Sequence, residues 1–233
     1  LFACAMLLAA GAFAQKRSNH GNVFEDLNYL LPDPSPYRSA DGAPGPEYWQ
    51  QRADYDIDAR LVPDEQRLYG NELITYHNLS PNNLRYLWLQ LDENQHRGEL
   101  DHHHFNGNSM EEVMNAQALY MMDQWKDLTE YGHNIEAVTD ANDKPLKYTI
   151  NGTMMRVDLP TVLKPGEEFQ FRVKWNYKLV DRINGPWGRG GYEFFEKDKN
   201  YIFTITQWFP RMCVYDDVEG WQNKQFTGRG EFA

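Results

Sequence analysis

Three histidines in a row, His102-His103-His104, with Glu99 and Asp101 close by, are the first side chains in this sequence that could hold a metal. A mononuclear site needs ligands converging from several elements at about 2.0–2.1 Å, whereas neighbours in an extended loop point apart. The run therefore reads as a solvated loop. No histidine is followed by glutamate. His-Glu-x-x-His, which sets two imidazoles on one helical face around a Glu base, is thus absent. There is no Gly-x-Ser-x-Gly elbow, and Cys213 has no histidine that the sequence marks as its base. It reads as an inert, buried thiol. Gly185-Pro186-Trp187-Gly188-Arg189-Gly190-Gly191 is followed by no helix start that could aim N–H groups at a phosphate, so it reads as a turn-rich loop. Asp216-Asp217 fits carboxylates capping amides in a turn better than a cation site. The remaining chemistry is concentrated in Thr206-Gln207-Trp208-Phe209-Pro210-Arg211, where polar groups capable of recognition sit among aromatics.

The elements that must position these residues are mainly strands. Tyr55, Ile57, Ala59 and Leu61 alternate with Asp54, Asp56, Asp58 and Arg60, the period of a half-buried strand. Residues 68–77 return as its partner across Pro63-Asp64-Glu65-Gln66. Leu87, Leu89 and Leu91 alternate with Tyr86, Trp88 and Gln90 in a strand apolar on both faces. Asn151-Gly152 predicts a hairpin centred on these two residues, because both can take positive φ. Lys164-Pro165-Gly166-Glu167 predicts the next turn. Phe169, Phe171, Val173, Trp175 and Tyr177 then alternate with polar residues, and residues 201–208 read as a further strand. One helix is expected over 109–131: Ser109 and Glu112 form a capping box, apolar residues recur at helical spacing, and Gly132 follows as the C′ residue. The fold class is mainly β, an antiparallel sandwich or saddle with one inserted α-helix.

Residues 1–14 read as a signal peptide, with an apolar stretch and Ala12-Phe13-Ala14 before Gln15, too short to span a bilayer. This implies an exported protein, periplasmic or secreted. Once residues 1–14 are removed, Cys213 is the one remaining cysteine, so stability must come from a core rather than a disulfide. Residues 15–47 form a Pro-rich leader, and the β domain occupies 48–233. The net charge of −11, with no polybasic run, argues against nucleic acid or an anionic membrane as partner. Asn78-Leu79-Ser80 and Asn151-Gly152-Thr153 fit the glycosylation sequon, the second reading better as the hairpin turn.

Taken together, Tyr55-Asp56-Ile57-Asp58, Tyr86-Leu87-Trp88-Leu89-Gln90-Leu91-Asp92, Leu163-Lys164-Pro165-Gly166-Glu167 and the run from Thr206 to Trp221 resemble the N-terminal β-saddle domain of aminopeptidase N-type zinc metallopeptidases, in a bacterial exported branch. The resemblance covers about 48–233. It implies a saddle packed on a catalytic domain of the same polypeptide that holds zinc and removes N-terminal residues from peptides by zinc-activated water. It also implies that the saddle lends one strand to the substrate pocket. Thr206 and Gln207 match the Thr-Gln of that strand, Arg211 its arginine, and Tyr215 with Asp216 or Asp217 its aromatic-Asp turn. Phe209 stands where the resemblance implies a Glu or Gln for the substrate amine; either Gln207 takes that role, with Gln207 and Trp208 as the substrate-binding residues, or the pocket is supplied from elsewhere. No catalytic residue or zinc ligand is expected in this chain. The alternative reading is a stand-alone exported β-sandwich module binding peptide or glycan through exposed aromatics at Trp187, Tyr192, Trp208 and Trp221.

Overall fold

The computed structural model describes residues 34–97, 130–183 and 190–224, together with Ala116, Leu119, Tyr120 and Asp123. The chain divides into two units, Leu1–Tyr48 and Trp49–Ala233. In the first, Pro-rich sequence folds into a tight turn: Arg38 bridges Pro44, the Ser35 hydroxyl accepts the amides of Tyr37 and Arg38, and the Arg38 guanidinium lies 5.0 Å from the centre of the Tyr48 ring.

The second unit is mainly β, with antiparallel sheets. Strands β1 (Arg52–Val62) and β2 (Arg67–His77) pair along their whole length, from Arg52 opposite His77 to Val62 opposite Arg67. The turn between them closes because Gln66 takes the left-handed conformation and its amide returns to the Pro63 carbonyl. The other strands among the described residues are β3 (Leu84–Gln90), β4 (Asn134–Asp140), β5 (Tyr148–Asn151), β6 (Met154–Leu163), β7 (Glu168–Lys178), β8 (Gly191–Phe195), β9 (Asn200–Thr204), β10 (Arg211–Met212), β11 (Tyr215–Asp216) and β12 (Gly220–Trp221). One sheet runs β1-β2-β7-β4 and the other β10-β3-β6-β5; β8-β9 and β11-β12 are two-stranded.

The expected alternation sets what is buried. Phe171, Val173, Trp175 and Tyr177 of β7 and Ile74 and Tyr76 of β2 face a shared core with Leu87 and Leu89 of β3 and Met155 and Val157 of β6. That is a β-sandwich, two sheets closed on one apolar layer. The opposite face of β3 is also covered, since the Arg156 guanidinium sits 4.2 Å above the Tyr86 ring.

Two expectations shift by a few residues. The β5-β6 hairpin centres on Gly152-Thr153, not Asn151-Gly152: Asn151 pairs with Met154, and Gly152 has φ 58 while neither neighbour has positive φ. This is the pattern of a type II′ turn, which wants glycine at the first central position. The strand expected over 201–208 ends at Thr204, and Gln207 turns out of the ladder with φ 50. Gly166 takes φ 78 in the Lys164–Glu167 turn, as its sequence predicts. Most of the helix expected over 109–131 lies outside the described residues; Ala116, Leu119, Tyr120 and Asp123 are helical and exposed, and Gly132 follows with φ 82. No described helix is long and apolar enough to cross a membrane.

The Asn78 sequon is a structural device instead of a glycan acceptor. Asn78 is fully buried; its amide nitrogen donates to the carbonyls of Asn82 and Leu163, and its oxygen accepts the Ser80 hydroxyl at 2.7 Å.

Candidate functional site

Between β9 and β10 the chain forms a corner, Ile205 to Pro210, and each of its turns has a cause. Pro210 offers no N–H and biases Phe209 toward extended backbone. Beyond it, β10 rejoins β3, with Arg211 opposite Gln90 and Met212 opposite Leu89. The Cys213 amide then donates to the Trp88 carbonyl at 2.8 Å, and the Met212 amide to the Tyr55 hydroxyl at 2.8 Å. Gln207 and Trp208 are both half-buried. The Trp208 ring leans on Trp175 at 5.9 Å, and Phe209 meets Tyr55 edge-on at 5.3 Å.

Behind this corner lies a buried polar turn, residues 92–96, in which Asp92, Glu93, Asn94 and His96 are all buried. The Arg211 Nε donates to the Asp92 carboxylate at 2.9 Å. Burial still outweighs that cation and pushes the Asp92 carboxyl above its usual range. Glu93 is pushed up to about 8, first by burial and then by the neighbouring Asp92 charge. His133, fully buried, donates from Nε2 to the Trp208 carbonyl at 3.2 Å and is driven down to about 4 by burial. These shifts follow first from burial, and the groups form a polar cluster within the core directly behind the corner.

Sequence reasoning placed Gln207 and Trp208 on a strand; they stand together on the corner after it. It missed Asp92, Glu93, Asn94 and His133. Their composition reads as solvated, and nothing local says that 92–96 folds inward. Arg211 is held by Asp92. Tyr215 stacks on Trp49 at 5.7 Å and packs on Trp221 at 5.0 Å. Asp216 caps its own turn, accepting the amides of Val218 at 3.0 Å and Glu219 at 2.8 Å, as adjacent carboxylates in a turn should. Of the aromatics expected to be exposed for ligand, Tyr192, Trp208 and Trp221 are instead half-buried against the core, and Trp187 lies outside the described residues. His102 to His104 also lie outside them. Among the described residues, no group of three or more His, Cys, Asp or Glu could hold a metal ion, and no step is assigned to this chain through one.

Cys213 sits 3.8 Å from the Met154 sulfur, and its thiol is pushed up to about 12 by burial. Reaction requires the thiolate. In the folded protein at pH 8, Cys213 is expected to stay unlabelled by iodoacetamide when the digested protein is mapped by mass spectrometry, and to label fully in urea. Rapid labelling of the native form would contradict this packing.

No protein-family model matches the chain, and no curated protein sequence is significantly similar to it. Among solved structures it is similar to an M1 zinc metallopeptidase from Deinococcus radiodurans, with 15% identity over 63% of this chain and 26% of that one and a TM-score of 0.35. It is similar at the same identity and TM-score to a mutant of that enzyme bound to a Tyr-Ser-Ala substrate, over 63% and 27% of the two chains. A two-domain M1 zinc metallopeptidase mutant bound to L-tryptophan is also 15% identical, over 66% and 28%, with a TM-score of 0.35. The chain spans 26% to 28% of the length of these structures.

Proposed function

We propose that this chain is the non-catalytic, substrate-bordering domain of an exported zinc aminopeptidase, and that Gln207 and Trp208 line the pocket for the free amine of the peptide. Its partners are then a catalytic domain of the same polypeptide and the peptide itself. The reading rests on the wording of residues 206–217 and is carried by one observation: Gln207, a non-glycine residue, is held at φ 50 on a corner braced on both sides. Non-glycine residues in this region are uncommon and persist where the surrounding structure over-determines them; Gln66, Asp143 and Lys199 also take it, and Gln207 differs from them in lying within the Thr-Gln run that carries the resemblance.

The division of labour follows from chemistry. Zinc supplies the Lewis acid and activates water when bound in the catalytic domain. The sandwich supplies a rigid anchor for the free α-amine, which sits on the Cα next to the scissile carbonyl. The Gln207 side-chain oxygen accepts a hydrogen bond from the substrate ammonium, and the Trp208 ring supplies an apolar wall. Phe209 does not take the amine, because its ring is engaged with Tyr55 and Trp208, at 5.3 and 5.1 Å.

The test is hydrolysis by this domain joined to its proposed catalytic domain. Dipeptide amides with a free N-terminus should be cleaved, their N-acetylated forms should not, and a chelator should abolish activity until zinc is restored. Failure to cleave any free-amine peptide in the presence of zinc would refute the proposal.

A further inference from the structure

The corner that carries Gln207 is held from a distant part of the chain. On its N-terminal side β9 is fixed by its ladder with β8, from Gly191 opposite Thr204 to Phe195 opposite Asn200. On its C-terminal side β10 is fixed to β3. The residues between must make the turn, and Gln207 adopts a backbone conformation that side chains rarely take. What keeps it there is the next residue. Trp208 is gripped at two points: its ring by Trp175, and its carbonyl by the Nε2 of His133 at 3.2 Å.

His133 is itself immobilised. Its backbone N–H donates to the Asn94 side-chain oxygen at 2.8 Å, and the Asn94 amide nitrogen donates to the Gly152 carbonyl at 2.8 Å. Arg97 donates to the His133 carbonyl and to the Tyr131 carbonyl, both at 3.1 Å. The imidazole lies between Trp175 at 5.5 Å and Tyr177 at 5.2 Å. A carbonyl can only accept, so the ring proton must be on Nε2; Nδ1 is buried and has no partner among the described residues. The ring is therefore a neutral donor with one target.

We infer that His133 is the positioning residue of this site: its hydrogen bond to the Trp208 carbonyl holds Gln207 in the left-handed conformation that turns its side chain toward the peptide amine. The backbone part of this inference stands on geometry alone; the amine part rests on the proposed function. A histidine that merely filled the core would support stability without dictating the conformation of Gln207.

The experiment is NMR on the isotope-labelled full chain, comparing wild type with His133→Phe, which fills the ring volume without a donor, and His133→Gln, whose amide can reach the same carbonyl. In wild type, Gln207 should show couplings and a Cα shift of positive φ, and His133 the Nε2-protonated tautomer. His133→Phe should lose the Gln207 signature while the β7 resonances persist, and His133→Gln should restore it. A folded His133→Phe protein that keeps Gln207 left-handed would overturn the inference. If His133→Phe does not fold, the wild-type spectrum decides alone, because an Nδ1-protonated His133 would be equally fatal. Joined to the catalytic domain, His133→Phe should raise KM for a free-amine peptide about tenfold with kcat changed less than about twofold, the loss of one hydrogen bond to a charged group. If Gln207 moves and KM does not, the positioning stands and the proposed amine pocket falls.

Discussion

Gly70→Ala is expected to cost about 3 kcal/mol or more, at or beyond the upper end of what overpacking a core usually costs. Gly70 lies on β2 directly opposite Trp175 on β7, and the indole folds across it. A methyl group there would overlap the Cζ2 and Cε2 atoms of the ring and stand 2.7 Å from Cη2. The ring cannot retreat: Trp175 is fully buried, with His133 at 5.5 Å, Tyr177 at 6.0 Å and Trp208 at 5.9 Å. Glycine is needed here for close approach, since its φ is not positive. Urea unfolding of Gly70→Ala, Trp175→Leu and the double variant should show strong non-additivity, the smaller side chain relieving the clash. A loss below about 1 kcal/mol in the single variant would mean the ring has room to move, against the packing described.

Glu72→Leu is expected to stabilise the protein, by an amount that grows with pH. Glu72 is fully buried on the inner face of β2, and neither carboxyl oxygen has a hydrogen-bond partner among the described residues. Burial alone pushes it up to about 9. The folded state therefore keeps a proton that the unfolded chain releases above its ordinary value of 4.5. Stability contributed by that proton is complete below the unfolded pKa and is lost as pH rises toward the folded one, by up to about 1.4 kcal/mol per pH unit. Between pH 5 and pH 7 the loss amounts to about 2 to 3 kcal/mol, which Glu72→Leu should remove. Urea midpoints measured across this range should fall for wild type and stay flatter for the variant. Glu93, also raised, leaves a residual slope of the same sign in both. Parallel curves would show that Glu72 is not buried as a neutral acid.

The strands were legible because their pattern is local. In β7, Phe171, Val173, Trp175 and Tyr177 alternate with polar residues, a period of two that a strand has and a helix does not. The turn at Gly166 was legible for the same reason. What escaped the sequence was set by partners far along the chain. Residues 201–208 have the composition of a strand, yet the ladder stops at Thr204, opposite Gly191 where β8 begins, and the Trp208 carbonyl pairs with His133; neither partner leaves a local trace. The 92–96 turn reads as solvated from its charges, but Arg211 and the Gly152 carbonyl draw Asp92 and Asn94 inward. The hairpin slipped by one residue because either Asn151-Gly152 or Gly152-Thr153 supplies the positive φ a tight turn requires, and the register with β6 chose the second.

The proposed function depends on Gln207 as the amine anchor, and one substitution addresses it most directly. In the protein carrying both this domain and its proposed catalytic domain, Gln207→Ala should raise KM for free-amine peptides about tenfold or more, with a smaller change in kcat, as expected for losing a hydrogen bond to a charged group. The preference for free over N-acetylated substrates should shrink with it. Unchanged KM and unchanged preference in a folded Gln207→Ala protein would contradict the account.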